Sequence, residues 1–389
     1  MKNIVLFGGA FDPVHNGHLN MALEASRQLD ADVYFIPAKI AVWKNDSVSI
    51  DHKINMLKLA ISGKKRLFID EFEVNQPNDI NYTIDTVKHF KEIYHNDNLY
   101  LLIGTDQVNK FHLWKNAEEI SKLVKIVYFA RPGFKVEENN LQNYSITKLE
   151  GQELDISSSD IKGLKSLNLP ISVINYIVDN NLYFIDKIKS YLTAERYNHS
   201  VEVAKLAYEI AEKNELSIKY DCFIAGLLHD IGKNVKGEDA ISIMKEHYSE
   251  YLDLPAPVYH QFIGHFLAKN DFNITNNDIL NAIKFHTTGC SSMCDIAKIV
   301  YAADKIEPTR GFDSKWLIDA IEVNLNKGFS TILKDNIKYF ETNNVPYNRY
   351  QHNLSNHRSI VCIVHHPMSM LVDTLVSQTA LPVEKVYLQ

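Results

Sequence analysis

The feature of this sequence that most constrains its fold is a change of pattern near its middle. In the first half, short apolar runs such as Asn3 to Phe7 and Leu99 to Ile103 alternate with stretches of amphipathic helical spacing. Strands separated by helices predict a parallel sheet wrapped by crossovers. After Ile185 the β-type runs stop, and the long segments have helical patterns, beginning with Val201 to Ala211. The sequence therefore predicts a Rossmann-like α/β domain followed by an all-α helical bundle.

The length and charge of the chain limit the number of domains and the classes of partner that are expected. The chain has 389 residues, so two domains are expected from a typical size of ~100–150 residues, and we predict them at 1–185 and 186–353, with 354–389 as an unassigned tail. A net charge of -7 leaves no global positive field for nucleic acid. With four cysteines and no run of ~18 apolar residues, we expect a cytoplasmic protein with small-molecule partners and no membrane partner. A homo-oligomer is left open.

A first cluster of functional residues follows the first strand directly. The segment from Gly8 to His18 reads GGAFDPVHNGH, and a helix is expected just beyond it. Glycines at the end of a strand let backbone N–H groups approach an anion, and the positive end of the helix dipole favours phosphate. A Gly-Gly turn with one nearby histidine would be an ordinary loop. Two imidazoles three residues apart, His15 and His18, in register with Phe11-Asp12-Pro13, indicate a phosphate site instead.

At these residues the chain resembles the HxGH nucleotidyltransferase superfamily, and specifically the bacterial nicotinate-nucleotide adenylyltransferases, over about Met1 to Tyr183. The resemblance implies that His15 and His18 bind the phosphates of Mg²⁺-associated ATP while the phosphate of nicotinate mononucleotide attacks the α-phosphorus and pyrophosphate leaves. Such chemistry is mostly alignment and charge neutralisation. The resemblance also implies a phosphate-binding role for Lys44, although its KIAVW surroundings depart from the family's proline-rich loop.

The segment from Ile156 to Lys162 resembles the family's ISSTxIR signature, a hydroxyl-rich helix start that binds ATP phosphates. Lys162 replaces arginine there, which keeps the charge but loses the bidentate fork. Simple N-capping would explain one serine but not the cation one turn later. The resemblance assigns the following positions to the nucleotide or nicotinate sites: Gly8, Gly9, Phe11, Tyr82, Thr83, Thr86, Gly104, Asp106, Trp114, Ser158 and Ser159. Among them, an indole can stack on a pyridine ring, and amides near Thr83 can meet its carboxylate.

A second cluster, of imidazoles and carboxylates, is spread over the helical half. Imidazole and carboxylate together suit iron, manganese or zinc. A lone His-Asp dipeptide in a chain with 16 histidines would usually be structural. The order His, His-Asp, His, His, Asp over successive predicted helices is instead the pattern of the HD-domain superfamily, and it is formed by His199, His229, Asp230, His260, His286 and Asp304.

Two short sequence motifs resemble one particular family within this superfamily. GLLHDIGK at Gly226 to Lys233 and AADKIEPTR at Ala302 to Arg310 resemble the YqeK family of symmetrical bis(5'-nucleosyl)-tetraphosphatases, from about Lys187 to Asn353. The resemblance implies an iron site, with manganese or zinc as alternatives, that cleaves diadenosine tetraphosphate into two ADP. It implies that His199, His229, Asp230 and Asp304 hold the metal and that His260 and His286 complete a second metal position or contact phosphates. Lys233, Thr287 and Arg310 would contact the substrate.

The sequence thus predicts a bifunctional enzyme, a nicotinate-nucleotide adenylyltransferase fused to an HD-type tetraphosphatase. Two alternatives stay open. The first half would otherwise be another HxGH transferase, such as a phosphopantetheine adenylyltransferase, and Trp114 with the Ser157 to Lys162 string favours nicotinate mononucleotide. The second half would otherwise be a regulatory nucleotide-binding module without turnover, against which the intact set of histidines and aspartates argues.

Overall fold

The structure is a computed structural model that describes residues 1–39, 48–77, 81–152 and 154–342. Lys44 and the tail at 354–389 lie outside the described residues. The chain divides into two compact units, Met1–Tyr183 and Phe184–Gln389. The domain ranges predicted from the sequence stay predictions about which segments fold independently.

The described part of the first unit is an α/β unit with one parallel sheet of six strands, in the order β3-β2-β1-β4-β5-β6. This confirms the predicted fold class. The strands are β1 (Asn3–Gly9), β2 (Ala31–Pro37), β3 (Leu67–Ile69), β4 (Asn98–Ile103), β5 (Lys125–Ala130) and β6 (Thr147–Gln152). The helices are α1 (Asn16–Leu29), α2 (Ile50–Ile61), α3 (Thr83–Ile93), α4 (Thr105–Lys110), α5 (Ala117–Leu123), α6 (Glu138–Asn143), α7 (Ser158–Lys162) and α8 (Ile171–Asp179).

The centre of this sheet fixes where a ligand can approach. Strand β1 is buried from Ile4 to Phe7 and pairs in parallel with both β2 and β4, with Ile4 opposite Asp32 on one side and Leu99 on the other. The chain therefore leaves the carboxyl ends of β1 and β4 towards opposite sides of the sheet, and a crevice forms at such a switch point. The loop after β1 and the start of α4 lie at the edge of the sheet formed by the carboxyl ends of these strands.

The second unit is helical in its described residues, as its pattern predicted. Its helices are α9 (Ile185–Tyr191), α10 (Ala194–Lys213), α11 (Lys219–Leu228), α12 (Gly237–His247), α13 (Tyr259–Asn270), α14 (Asn277–Phe285), α15 (Asp295–Ile306), α16 (Lys315–Val323) and α17 (Leu325–Thr342). Helix α11 is buried from Cys222 onward and packs closely on α10, where a Cβ at Gly226 would lie 2.7 Å from the Ala204 Cα. Among the described residues, no helix has both the length and the apolarity to cross a membrane.

Candidate functional site

In the first unit, His15 and His18 cap the start of α1 reciprocally. His15 is the N-cap residue, and its Nδ1 accepts from the His18 backbone N–H at 3.4 Å, while the His18 Nδ1 accepts from the His15 N–H at 3.3 Å. The two rings stack with centroids 3.6 Å apart. Because both Nδ1 atoms accept, each neutral ring carries its proton on Nε2. The helix start therefore presents two imidazole N–H donors.

The loop before α1 holds these rings by close packing. A Cβ at Gly17 would lie 2.9 Å from the His15 Nδ1, so only glycine leaves room for that ring. Phe11 has a φ of 44° and is buried against the rings of Phe7, Phe35 and His18. The Phe11 side chain thus supports the His18 ring. Gly8 and Gly9 end β1 beside it.

Helix α7 brings the predicted serine-lysine segment to this loop. The Ser157 hydroxyl caps the helix by accepting from the Asp160 N–H at 3.1 Å, and the Ser158 hydroxyl donates to the Pro13 carbonyl at 3.1 Å. The Lys162 Nζ donates to a carboxylate oxygen of Asp12. Ser159 lies in the same first turn. The structure therefore places this segment against the loop that leads into the two histidines.

Sequence reasoning missed a group of buried polar residues behind Lys162. Asp12 is 1% exposed, and the Tyr183 hydroxyl donates to its Oδ1 at 2.8 Å. Lys53 on α2 is also 1% exposed, and burial lowers its pKa although the charge of Asp12 opposes this. The available signal was that Lys53 has helical spacing to the buried Met56, Leu57 and Ala60.

Two of the predicted nicotinate segments lie at the start of α3 and in the connection between α4 and α5. Tyr82 is the N-cap residue of α3 and is 43% exposed, and the Lys115 ammonium lies 3.9 Å from its ring centroid. Lys115 follows Trp114, which packs at 5.1 Å on the Phe111 ring. The structure thus brings the Tyr82-Thr83 and Trp114 segments together.

The remaining nucleotide-site candidates are divided between buried and exposed positions. Thr86 is buried, and its hydroxyl donates to the Glu73 Oε1 at 2.7 Å, so this side chain is engaged within the protein. Burial raises the pKa of Glu73. Gly104 is the N-cap residue of α4 directly after β4, and Asp106 is exposed in the first turn of that helix. Both lie at the carboxyl edge of the sheet.

In the second unit, six side chains from successive helices converge. Their ligand atoms form three overlapping sets within the described residues, and each set lies within 4.8 Å. The sets are His199 with His229 and Asp230, His229 with His286 and Asp304, and Asp230 with His260 and His286. The structure therefore brings together all six residues that the HD pattern singled out.

Three of these histidines are oriented in one way. Nδ1 of His229, His260 and His286 donates to the carbonyl three residues earlier, at 2.7, 2.7 and 2.8 Å. Each Nε2 consequently presents a lone pair to the cluster. Burial lowers the pKa of both His260 and His286, which keeps these rings neutral.

The arrangement of these lone pairs fits a cation. Nε2 of His260 and Nε2 of His286 face each other at 3.0 Å, so their lone pairs repel unless a cation lies between them. Nε2 of His229 is buried and has no hydrogen-bond partner among the described residues. Imidazole nitrogens and carboxylate oxygens together are donors that divalent transition metals prefer. The residues present therefore suit a metal centre.

The two aspartates of the centre stay ionised. Burial alone would raise the pKa of Asp230 and Asp304, but the surrounding imidazoles, with Lys233 beside Asp230 and Lys305 beside Asp304, hold both pKa values well below the usual range. Asp230 contacts Arg196 at 3.1 Å and Lys233 at 3.9 Å. Both carboxylates are therefore available as anionic metal ligands.

Cations also surround Asp304. Its carboxylate contacts Lys305 and Arg310, and Thr287 approaches the same centre with its Oγ1 3.1 Å from the His260 Nε2. Burial lowers the pKa of Lys233, although the charge of Asp230 opposes this. Sequence reasoning had singled out Lys233, Thr287 and Arg310 but missed Arg196 and Lys305.

Two family models match the chain. Residues 6–164 match the cytidylyltransferase-like family, and residues 196–309 match the HD domain. The fold and the two sites thus define a nucleotidyltransferase-type α/β unit followed by an HD-type helical unit. An HD domain implies a divalent metal ion, and the histidine–aspartate cluster lies within that match.

Relatives with both units are known. A Mycoplasma genitalium protein named "Probable nicotinate-nucleotide adenylyltransferase/Ap4A hydrolase" is 31% identical, over 86% of this chain and 97% of that protein. A Mycoplasma pneumoniae protein of the same name is 29% identical, over 85% and 98%. A crystal structure of a "predicted HD superfamily hydrolase involved in NAD metabolism" from Clostridium acetobutylicum is 34% identical, over 44% of this chain and 95% of that one, with a TM-score of 0.41. The chain belongs to the family of the two Mycoplasma proteins.

Proposed function

We propose that this protein is a bifunctional enzyme. One unit transfers the adenylyl group of ATP to nicotinate mononucleotide, giving deamido-NAD and pyrophosphate. The other hydrolyses diadenosine tetraphosphate (Ap4A) symmetrically into two ADP. The observation that carries the proposal is that each unit assembles its own cluster of polar side chains, the two histidines that cap α1 and the six histidines and aspartates of the helical unit, in a chain that aligns with the Mycoplasma relatives across both units.

In the first unit the reaction needs alignment and charge neutralisation. His15 and His18 direct Nε2–H donors at the β- and γ-phosphates, and Lys162 neutralises the charge that develops on the departing pyrophosphate. Lys44 is proposed as a further phosphate cation from the resemblance alone. The backbone of Gly8, Gly9 and Phe11 and the hydroxyls of Ser158 and Ser159 hold the nucleotide. Mg²⁺ bound to ATP would shield the charge of its phosphates.

The substrate pocket of this unit distinguishes nicotinate mononucleotide from phosphopantetheine. We assign the pyridine ring to the face of Trp114, because an indole stacks well on a flat aromatic ring. The N–H groups at the start of α3, around Thr83, lie at the positive end of that helix and suit the pyridine carboxylate. Tyr82, Thr86, Gly104 and Asp106 shape the same region.

In the second unit we assign the metal to His199, His229, Asp230 and Asp304, with His260 and His286 completing a second metal position or contacting phosphates. The metal, which we propose to be iron with manganese or zinc as alternatives, would acidify a bound water and neutralise phosphoryl charge. Lys233 and Arg310 lie beside the two aspartates and would bind the phosphate oxygens of the substrate or of the departing ADP, with Thr287 on the other side of His260.

The proposal includes the domain ranges 1–185 and 186–353 and small-molecule substrates in both units. It is tested on the full chain with two assays. Pyrophosphate release is measured with ATP and either nicotinate mononucleotide or phosphopantetheine, and ADP release from Ap4A is measured after loading with iron, manganese or zinc. Activity with phosphopantetheine alone would overturn the first assignment. Binding of Ap4A by metal-loaded protein without ADP release would make the second unit a regulatory module.

A further inference from the structure

His199 is oriented differently from the other three histidines of the metal centre. His229 and His286 are the C-cap residues of α11 and α14, where carbonyls of the last turn have no helical donor and are available to Nδ1. His260 uses the Pro257 carbonyl of the preceding 3₁₀ turn. His199 lies inside α10, where the carbonyls are occupied by helical hydrogen bonds. Its Nδ1 therefore needs a partner from elsewhere in the fold.

That partner is Glu307, just after the end of α15. Its Oε1 lies 3.1 Å from the His199 Nδ1, and the side chain is 1% exposed. The N–H and the hydroxyl of Thr309 both donate to the Glu307 Oε2, each at 2.7 Å. The carboxylate is thus buried, held in place and in contact with one nitrogen of a metal-ligand candidate.

The same short segment contacts both nitrogens of His199. Asp304, three residues before Glu307, lies with its Oδ1 3.2 Å from the Nε2. Glu307 is on the Nδ1 side of the ring, so its carboxylate and the metal candidate atoms are on opposite sides of the imidazole. A carboxylate that accepts from Nδ1–H fixes the tautomer and makes the other nitrogen more basic.

We propose that Glu307 is a positioning residue for the metal centre. It accepts the Nδ1–H of His199, holds the Nε2 lone pair towards Asp304 and strengthens the bond from Nε2 to a divalent cation, without binding the cation itself. The inference rests on the metal site of the proposed function but not on Ap4A as its substrate.

The test uses zinc binding to the full chain. Glu307→Gln keeps the shape and the hydrogen-bond acceptor but removes the charge, and we expect about 10–100-fold weaker zinc affinity with unchanged stoichiometry. Glu246→Gln, at an exposed position of α12, is the matched control and should leave the affinity unchanged. Unchanged affinity in folded Glu307→Gln protein would overturn the proposal. Loss of one zinc equivalent would also overturn it, because Glu307 would then be a direct ligand.

A second measurement needs no change at Glu307. In ¹⁵N–¹H spectra of zinc-loaded protein, the His199 signals are identified by their loss in His199→Gln. We expect a proton on Nδ1, shifted by a charged acceptor, and zinc on Nε2. Zinc on Nδ1, or an Nδ1–H without that shift, would refute the role of Glu307 even if Glu307→Gln fails to fold. If Glu307→Gln weakens zinc binding but the unmodified protein does not hydrolyse Ap4A, this inference is retained and only Ap4A is rejected as the substrate.

Discussion

Histidines in the two units of this protein are oriented by opposite backbone groups. At the start of α1, His15 and His18 accept backbone N–H groups at Nδ1 and keep their protons on Nε2. In the helical unit, His229, His260 and His286 donate from Nδ1 to carbonyls and present bare Nε2 lone pairs. A helix start offers unpaired N–H groups and a helix end offers unpaired carbonyls. For these five histidines, the local backbone therefore decides whether the imidazole suits an anion or a metal cation.

The charged residues beside these histidines also differ between the two units. In the first unit, a buried carboxylate, Asp12, holds the cation Lys162 beside the imidazole donors, which suits an anionic phosphate. In the helical unit, Asp230 and Asp304 point into the imidazole cluster itself, which suits a cation. The comparison implies that the two activities depend on separate residues and fail separately.

The largest expected effect tests whether the helical unit binds a metal cation through Asp230. Asp230→Asn keeps the shape but removes one anionic ligand, so we expect loss of bound metal and a decrease in Ap4A hydrolysis of at least about 10³-fold, because metal assistance is worth several kcal/mol. Metal content and ADP release measure this. Adenylyl transfer should stay unchanged, and Asp239→Asn, exposed on α12, should affect neither activity. Hydrolysis by metal-free Asp230→Asn protein would contradict the metal assignment.

The next effect tests the anion side. His18→Ala removes one N–H donor, and we expect deamido-NAD synthesis to decrease by about 10²–10³-fold, the usual effect of losing one charge-stabilising donor. It also removes a helix cap, so the first unit should lose about 0.5–2 kcal/mol of unfolding free energy. Steady-state kinetics and urea unfolding separate the two effects. His95→Ala, at an exposed position, is the control. Near-normal synthesis in His18→Ala would remove His18 from the phosphate site.

A smaller effect concerns substrate selection in the first unit. If the Trp114 indole stacks on the pyridine ring, Trp114→Ala should raise the KM for nicotinate mononucleotide by about 2–10-fold, in line with 0.5–1.5 kcal/mol for an aromatic pair, and should leave the KM for ATP nearly unchanged. The KM for nicotinate mononucleotide of Trp114→Phe should lie between those of the unmodified protein and Trp114→Ala, because phenylalanine retains packing on Phe111. Equal changes in both KM values would indicate a structural tryptophan.

The smallest expected effect concerns His265, a half-buried histidine that belongs to neither of the two clusters. Burial lowers the pKa of His265 to about 4 from 6.5, and its ring contacts the Tyr248 hydroxyl. Between those values the unfolded chain binds a proton that the native ring does not, so His265 makes stability fall with decreasing pH, by up to about 1.4 kcal/mol per pH unit.

His265→Gln tests this linkage. Urea unfolding is followed at pH 7 and pH 5 without metal, and the transition of the helical unit is identified by its shift when zinc is added at pH 7. The loss of unfolding free energy between the two pH values should be smaller in His265→Gln than in the unmodified protein. An equal loss in both proteins would show that His265 titrates normally.

The sequence by itself determined the architecture. Buried strands such as Asn3–Gly9 and Asn98–Ile103 carry continuous apolar runs, and the end of such runs after Ile185 marks the helical unit. Two strands have no such run and were not predicted: β3, with only three residues, and β6, with the polar string TKLEGQ. Both are edge strands of the described sheet, and an edge strand does not need the continuous apolar pattern of a central one.

The local motifs also predicted which histidines and aspartates cluster, because the order His, His-Asp, His, His, Asp over the helices is the pattern of an HD domain. Only the tertiary structure decided how His199 is oriented and which charges are buried. The sequence did not predict that Lys53, Asp12 and Glu307 are buried, yet each is 1% exposed. Tyr183, which donates to Asp12, and His199, which contacts Glu307, each lie more than a hundred residues away along the chain. Burial and pairing of a charge depend on the three-dimensional packing of distant segments, and no local pattern encodes that packing.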